Sequence, residues 1–383
     1  MSVIKKNRKT VIGILGGGQL ARMSAMQAIR LGFDVAILEK EKNSPAGVLT
    51  KKEFVGWVDQ KEIFNKFITE CDVITLENEF IDYKYLEYIE SKGKKVIPSS
   101  RTISLIQDKY IQKTTLLDSG IPVPKFLKVD ENISYRKIID SLGEKFLLKS
   151  RKMGYDGYGN ATIKSKKEYD EALSRLSERH TELYAEEFIP FVKELAIMIV
   201  RTKKEIKTYP VVETIQKNHI CHTVIAPANI NKKVVKNVID ISIKTIKSIE
   251  GFGIFGIEYF LLNDNSVLVN EIAPRPHNTG HYTIEGCTIS QFENHIRAIL
   301  DLPLGNTVML KPFAVMINLL GKRNGIGIIQ DYNKALENEN IHLHVYGKEY
   351  SRIGRKMGHI TMLGSDVKNI LSKAKNIEKK IIL

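Results

Sequence analysis

Apolar and polar positions along the chain change texture twice. Between Val11 and Ile97, four short apolar runs (Val11–Leu15, Val35–Leu38, Val73–Leu76 and Val96–Ile97) read as strands. Amphipathic stretches between them predict helices, including Gln19–Leu31 and Tyr83–Ser91. Strand–helix alternation of this kind predicts an open, parallel α/β sheet. Pro98-Ser99-Ser100 marks its exit. A predicted helix over Tyr110–Ser119 then stops at Gly120, with Pro122 and Pro124 just beyond. A strand over Lys145–Lys149, a glycine-rich loop, a helix over Lys167–Ser177 and a β-rich stretch from Leu183 to Ile225 follow. A helix over Val234–Ile249 leads to two strands, Ile254–Leu261 and Ser266–Ile272. Beyond lie strands at Phe313–Leu319 and His342–Tyr346 and a lysine-rich last helix. With no internal repeat, three lobes in sequence are expected.

Composition narrows the class without naming it. At 43% hydrophobic and 27% charged residues, the chain is neither disordered nor collagen-like. No run approaches the roughly 20 apolar residues of a membrane-spanning helix. Cys71, Cys221 and Cys287 are far apart and odd in number, which predicts no disulfide framework. Met1 to Thr10 lacks the apolar core of a signal peptide, so a cytoplasmic location is expected. The charge is unusual: 58 basic residues against 44 acidic give +14. That invites nucleic acid, anionic lipid or a phosphorylated small substrate. Much of the excess is helix lysine such as Lys232, Lys233, Lys236, Lys244 and Lys247, which a solvated surface explains as well.

Three patterns carry chemistry. Gly16-Gly17-Gly18-Gln19-Leu20-Ala21 follows a strand and opens a helix, with Glu39 near the end of the next strand. This matches a dinucleotide fingerprint and keeps an NAD-dependent dehydrogenase in play, although a tight strand–helix turn uses the same glycines. The physics of the loop says anion, usually phosphate. Lys149 ends a strand and is followed by Met153-Gly154-Tyr155-Asp156-Gly157-Tyr158-Gly159, a loop able to close over polyphosphate beside a lysine. The sharpest pattern is Ile257-Glu258-Tyr259-Phe260 and Val269-Asn270-Glu271-Ile272, joined by the turn-forming Asn263-Asp264-Asn265-Ser266. With Asp264 and Asn265 as a two-residue turn, Glu258 and Glu271 stand opposite each other; the alternatives are two strand-end glutamates splayed into solvent, or a register shifted by a bulge. Facing carboxylates repel, and an oxygen-loving divalent cation removes the conflict.

In this order, the strand lysine, glycine loop, hinge glutamates and Glu…Asn-Glu hairpin resemble the ATP-grasp ligases. Within them they resemble the N5-carboxyaminoimidazole ribonucleotide synthetase family. Further strings similar to it are Thr75-Leu76-Glu77-Asn78-Glu79-Phe80, Gln107-Asp108-Lys109, Arg275-Pro276-His277-Asn278-Thr279-Gly280-His281, His344-Val345-Tyr346-Gly347-Lys348 and Gly354-Arg355-Lys356-Met357-Gly358-His359. The resemblance implies an α/β ATP-grasp fold in three parts. These are a Rossmann-like pre-ATP-grasp domain over 1–103, an ATP-grasp domain over 104–302 with a lid at about 121–188, and a small β-rich C-terminal domain over 303–383. It implies ATP-dependent carboxylation of 5-aminoimidazole ribonucleotide with bicarbonate, through carboxyphosphate, by a cytoplasmic homodimer without nucleic-acid or membrane partners. A downstream mutase-type carboxylase domain is not expected.

The resemblance also implies roles. Lys109 and Lys149 contact ATP phosphates, covered by Gly154, Tyr155, Asp156, Gly157, Tyr158, Gly159 and Asn160. Glu186, Glu187, Phe188 and Ile189 frame the adenine, with Glu194 on the ribose and Gln216 and Asn270 near the nucleotide. Glu258 and Glu271 hold Mg²⁺, two ions in the expected form. Arg275, His277 and Asn278 form the bicarbonate site, and Asp156 faces the attacking amine. Lys348, Arg355 and the backbone of Gln19 and Leu20 meet the ribonucleotide phosphate, with Tyr155 and Glu77 on its aminoimidazole and ribose. Tyr158 stands where the family often has a cation and Gln216 where many members have histidine. Ala21 and Thr279 replace a common Gly and Ser. Taken singly, His277 and His281 can also be read as core histidines, and Arg352–His359 as a basic surface strand. A formate-dependent glycinamide ribonucleotide transformylase is the alternative within the superfamily.

Overall fold

The computed structural model describes residues 3–130, 133–153, 159–178, 182–217 and 220–383. Strands β1 (Val11–Leu15), β2 (Asp34–Glu39), β3 (Lys52–Val55), β4 (Val73–Leu76) and β5 (Lys95–Val96) form a parallel sheet in the order β3-β2-β1-β4-β5. Helices α1 (Gln19–Arg30), α2 (Lys61–Glu70) and α3 (Tyr83–Ser91) connect them, and α4 (Ser100–Ser104) leads out. All five residues of β1 are buried, because helices cover both faces of a parallel sheet. That is why its apolar run was legible. The edge strand β3, Lys-Glu-Phe-Val, is only half-buried and left no comparable signal.

Helix α5 (Lys109–Asp118) opens the next part, capped by Asp108, whose carboxylate accepts from the N–H groups of Tyr110 and Ile111. Four antiparallel strands follow: β6 (Phe126–Val129), β7 (Phe146–Ser150), β8 (Asn160–Ile163) and β9 (Leu183–Glu187), in the order β6-β9-β7-β8. Helices α6 (Tyr135–Leu142) and α7 (Lys166–Ser177) cover one face, packing Ile138, Tyr169 and Leu176 onto Phe146, Leu148 and Ala185.

The remaining strands are β10 (Lys193–Arg201), β11 (Ile206–Thr208), β12 (Val212–Lys217), β13 (Ile220–Ala226), β14 (Gly253–Leu261), β15 (Val267–Ala273), β16 (Phe313–Leu320), β17 (Gly325–Ile326), β18 (Ile341–Val345), β19 (Tyr350–Ser351) and β20 (Lys356–Gly364). Except for the short β17–β19 ribbon, they form one antiparallel sheet ordered β15-β14-β10-β12-β13-β16-β20-β18, with β11 on β10. Helix α8 (Lys232–Ser248) covers one face; α9 (Thr283–Gly286) and α10 (Gln291–Ile299) lie on the other. Helices α11 (Tyr332–Ala335) and α12 (Val367–Lys380) complete the C-terminal part, with α12 packed on β16 and β20. Strand β10 shows the layering: Leu195, Ile197 and Ile199 enter the core under α8, while Ala196, Met198 and Val200 enter the opposite core. Helix α10 is shared, since its Ile296 and Ile299 also pack on Ile12 and Ile14 of β1. Both sheets are therefore fixed to one helix, and a cavity of about 830 Å³ opens where their loops meet.

Candidate active site

The first glycine loop forms one end of this cavity. Its N–H groups already have acceptors: Gly17 donates to Glu39 Oε2 at 2.7 Å, Gly18 to Glu77 Oε2 at 2.8 Å and Leu20 to Glu77 Oε1 at 3.3 Å. The Glu77 carboxylate thus sits at the N-terminus of α1, where the helix dipole favours an anion. Desolvation raises its carboxyl above the usual range, opposed by the Gly18 N–H and reinforced by Glu39. A Cβ on Gly17 would lie 2.3 Å from Ser44 Oγ, so the glycine serves close packing. These contacts correct the dinucleotide alternative: Glu39 is spent on the loop itself, and the loop's donors face protein carboxylates.

The β14–β15 hairpin supplies another wall, and its geometry corrects the expected turn. Asn265 is left-handed (φ +66°), and Leu262 donates to Ser266 O across a three-residue connection of Asn263, Asp264 and Asn265. Tyr259 therefore pairs with Val269, not with Asn270. A bulge between Glu258 and Tyr259 then restores the register, so that Glu258 does oppose Glu271. The anticipated pair exists because the longer turn and the bulge offset each other. The bulge also places Asn270 and Glu271 together on the cavity wall, while Val267, Val269 and Ile272 enter the core beneath α8.

The two carboxylates differ. Lys109 Nζ is 2.9 Å from Glu271 Oε2, and against the cost of burial this ammonium holds the Glu271 carboxyl below its ordinary value. Burial, followed by Glu271 and Glu194, pushes Glu258 up to about 7. An oxygen-donor cation between them would relieve the repulsion, so the donors fit Mg²⁺. Among the described residues no group of three or more acidic, histidine or cysteine side chains could cage a metal. Such a site suits an ion that keeps water and substrate oxygens as ligands.

Cations sit beside these carboxylates. Lys149 lines the cavity and its Nζ donates to Glu186 Oε1 at 2.5 Å. Glu186 is fully buried and also pairs with Lys113, whose Nζ is 2.7 Å from Oε2; together with burial acting the other way, the two lysines hold its carboxyl down to about 2. Sequence reasoning missed Lys113. Its signal was a lysine one helical turn after Lys109 on the inward face of α5, beside Gln112 and Leu116. Arg275 projects into the cavity with its guanidinium against Glu79, Nη2 to Oε1 at 3.1 Å and Nε to Oε2 at 2.5 Å. Glu79 was quoted in a motif but given no role.

His277 follows. Its Nδ1 is 2.9 Å from Thr279 Oγ1, and its Nε2 is 3.9 Å from Glu258. Desolvation, then Arg275, moves its pKa well below the ordinary value, so the ring is neutral near pH 7. Gln291, also missed, holds the His277 backbone on both sides, accepting from its N–H at 2.9 Å and donating to its carbonyl at 2.8 Å. Asn278 and Asn318 exchange amide hydrogen bonds. His281 also touches the cavity but is fully buried, so for it the core-histidine reading describes the packing.

The other expected residues divide by position. Gln19, Leu20, Glu77, Lys348 and Arg355 line one end of the cavity, where Lys348 Nζ donates to Lys356 O and Arg355 Nη1 to Tyr350 O. Gly159, Asn160, Glu194 and Gln216 line the other, with Gln216 hydrogen-bonded to Glu194. Glu186, Glu187, Phe188 and Ile189 do not line it: Glu187 accepts from the Lys125 N–H, Phe188 lies under Lys145, and Ile189 is buried. Gly154, Tyr155, Asp156, Gly157 and Tyr158 lie outside the described residues.

Comparison with known proteins adds three family matches in chain order. They are a ribonucleotide synthetase preATP-grasp domain over residues 9–107, an ATP-grasp domain over 114–292, and a phosphoribosylaminoimidazole carboxylase C-terminal domain over 314–373. The N5-carboxyaminoimidazole ribonucleotide synthase of Synechococcus elongatus is 39% identical over 355 residues, 92% of this chain and 89% of that protein. The chloroplastic phosphoribosylaminoimidazole carboxylase of Vigna aconitifolia is 41% identical over 95% of this chain, which spans 66% of that longer relative. The crystal structure of the Thermotoga maritima synthetase superposes with a TM-score of 0.88 at 41% identity, covering 97% of this chain and 99% of that one. The Aspergillus clavatus synthase in complex with ADP and 5-aminoimidazole ribonucleotide gives 0.87 at 36% identity, covering 96% and 98%.

Proposed function

This chain belongs to the N5-carboxyaminoimidazole ribonucleotide synthase family, and from that premise we propose that it carboxylates 5-aminoimidazole ribonucleotide at the expense of ATP. Bicarbonate attacks the γ-phosphorus of ATP to give carboxyphosphate and ADP. Carboxyphosphate then delivers its carboxyl to the 5-amino nitrogen, directly or as CO₂, and phosphate leaves. The transferred proton goes to a base, for which Asp156 is proposed. The family replaces the formate-dependent alternative.

The observation that carries this reading is the convergence in one cavity of a facing glutamate pair, cations and a neutral histidine. Lys109 and Lys149 are proposed to meet the ATP phosphates, under the loop that includes Gly159 and Asn160. Glu194 and Gln216 face the ribose end, and Glu186, Glu187, Phe188 and Ile189 are kept as the adenine hinge through their backbone. Glu258 and Glu271 would hold Mg²⁺, which when bound neutralises phosphoryl charge, with Asn270 as a nucleotide contact beside them. Arg275 supplies a fixed positive charge where bicarbonate becomes a carboxyphosphate, and Asn278 a polar contact. The neutral His277 is able to hydrogen-bond that anion without donating a charge. Lys348 and Arg355, with the backbone of Gln19 and Leu20 once the Glu77 carboxylate yields its place at the N-terminus of α1, are proposed for the ribonucleotide phosphate, and Glu77 and Tyr155 for its remainder. A cytoplasmic homodimer without nucleic-acid or membrane partners completes the proposal. Among the described residues no helix is long and apolar enough to cross a membrane.

The test is a coupled ADP-release assay with ATP, bicarbonate and ribonucleotide omitted in turn. Turnover should need all three and should fall by about 100-fold or more in Glu271→Ala. ADP release indifferent to the ribonucleotide, or untouched in that variant, would sink the reading.

A further inference from the structure

Lys113 touches nothing in the cavity, yet it is a buried ammonium directly behind it. Its side chain is 3% exposed on the inward face of α5. Its Nζ lies 2.7 Å from Glu186 Oε2 and donates to the Asn270 carbonyl at 3.2 Å, joining β9 to the bulge of β15. Glu186 therefore has two ammonium partners, Lys113 on one oxygen and Lys149 on the other. The two lysines differ in reach. Lys149 lines the cavity, whereas Lys113 lies behind the wall.

We propose that Lys113 is a positioning residue for nucleotide binding, the permanent counter-ion of Glu186 that allows Lys149 to exchange this carboxylate for polyphosphate. The inference rests on the ATP-dependent reading of the cavity given above. Its logic is desolvation. A carboxylate with no exposed surface is strongly disfavoured when it loses its only cation. If Lys149 were that only cation, turning it toward a phosphate would strand Glu186 as an isolated buried anion. Nucleotide binding would then work against the ion pair. With Lys113 fixed on the second oxygen, Glu186 stays paired whichever way Lys149 turns. Two ammoniums on one carboxylate also leave a net positive charge at the cavity wall, which suits an incoming polyanion.

The test compares wild type, Lys113→Met and Lys113→Met/Glu186→Gln by ADP calorimetry and by the KM values for ATP and ribonucleotide. Lys113→Met should weaken ADP and raise the ATP KM by roughly 10- to 100-fold, with the ribonucleotide KM within about twofold of wild type. The double variant has no carboxylate to strand and keeps the backbone at position 186 that the hinge reading uses, so it should regain most of the ADP affinity. Were Lys113→Met only to melt earlier while binding ADP as wild type does, the inference would be overturned. A double variant that folds but binds ADP no better than Lys113→Met would overturn it too. Should Lys113→Met fail to fold, the double variant alone decides: near-wild-type ADP affinity supports the inference, and a loss of 10-fold or more refutes it. A wild-type chain that does not bind ADP would instead refute the ATP-dependent reading itself.

Discussion

Lys109 faces Glu271, Lys149 faces Glu186 and Arg275 faces Glu79, so these three cavity cations each rest against a carboxylate of the protein. Paired charges of this kind keep a dry wall stable, and a phosphate must displace the carboxylate to be held. Lys348 sits apart from this set, with its ammonium on the Lys356 carbonyl. Lys348→Ala is therefore expected to raise the ribonucleotide KM by about tenfold or more while the ATP KM changes little. Steady-state kinetics with each substrate varied in turn checks this, and a larger effect on ATP would move the phosphate site. At this scale the residue types with obvious chemistry were legible: Lys149, the glutamate pair and the Arg-Pro-His-Asn string. Lys113, Glu79 and Gln291 were not, because each acts on a distant partner: Lys113 on Glu186 and Asn270, 73 and 157 positions away, Glu79 on Arg275, 196 away, and Gln291 on His277, 14 away; the helical spacing of Lys113 marks an inward face but not these partners.

Among elements, β14 illustrates what a strand gives to a site besides side chains. A Cβ on Gly256 would come within 2.6 Å of His277 Cβ, so this glycine is the gap that lets His277 lie over the strand. Gly256→Ala should push His277 from Glu258 and lower kcat by roughly 10-fold, with the melting temperature changed far less than by a core truncation. Kinetics and thermal melts on the same preparation test it; unchanged kcat would show that His277 tolerates the shift. Most helices and central strands were readable from periodicity, with ends displaced by one or two residues. Tyr83–Ser91 was read to the residue. Helix α10 escaped because it is buried on nearly every side, including Gln291, Glu293, Asn294 and His295, so it has no polar stripe to betray its period. β20 was anticipated only at its start, by the basic surface-strand reading of Arg352–His359, because its pairing with β16 and β18 is tertiary.

For the whole molecule, the sheet that holds the hairpin continues through β13 to β16, so the C-terminal part extends the central sheet. The texture of the sequence suggested three lobes in succession and gave no sign of this shared sheet, since pairing between Thr223 and Ile317 leaves no trace in either segment alone. Burial of imidazoles sets the pH response of the fold. His281, His295 and His359 are each at most 1% exposed. Burial lowers all three below the ordinary 6.5, His295 to about 3. Below pH 6.5 the unfolded chain binds protons that the folded chain refuses, so stability falls as pH falls, by about 1.4 kcal/mol per unit for each such ring. Above 6.5 these groups contribute no slope. Urea midpoints should be level from pH 7 to 8 and decline from 6.5 to 5, less steeply in His295→Gln. A flat profile down to pH 5 would contradict this. The +14 charge divides at the same scale: a few cations converge on the cavity, and the helix lysines such as Lys232, Lys233 and Lys236 are exposed.

The bulge in β15 has a consequence for editing the chain. Tyr259 pairs with Val269 and Glu258 with Glu271, so Asn270 is the one position in that stretch without an opposite number. Removing it by deletion, not substitution, would leave every other strand pairing and every inward apolar residue where it is, and would remove the carbonyl that accepts from Lys113. The strand is thus one residue longer than its partner requires, and that surplus residue is a detachable polar group in the cavity wall. A chain shortened by Asn270 should keep its melting temperature within a few degrees yet bind ADP more weakly. Loss of the fold would show that the surplus is structural after all.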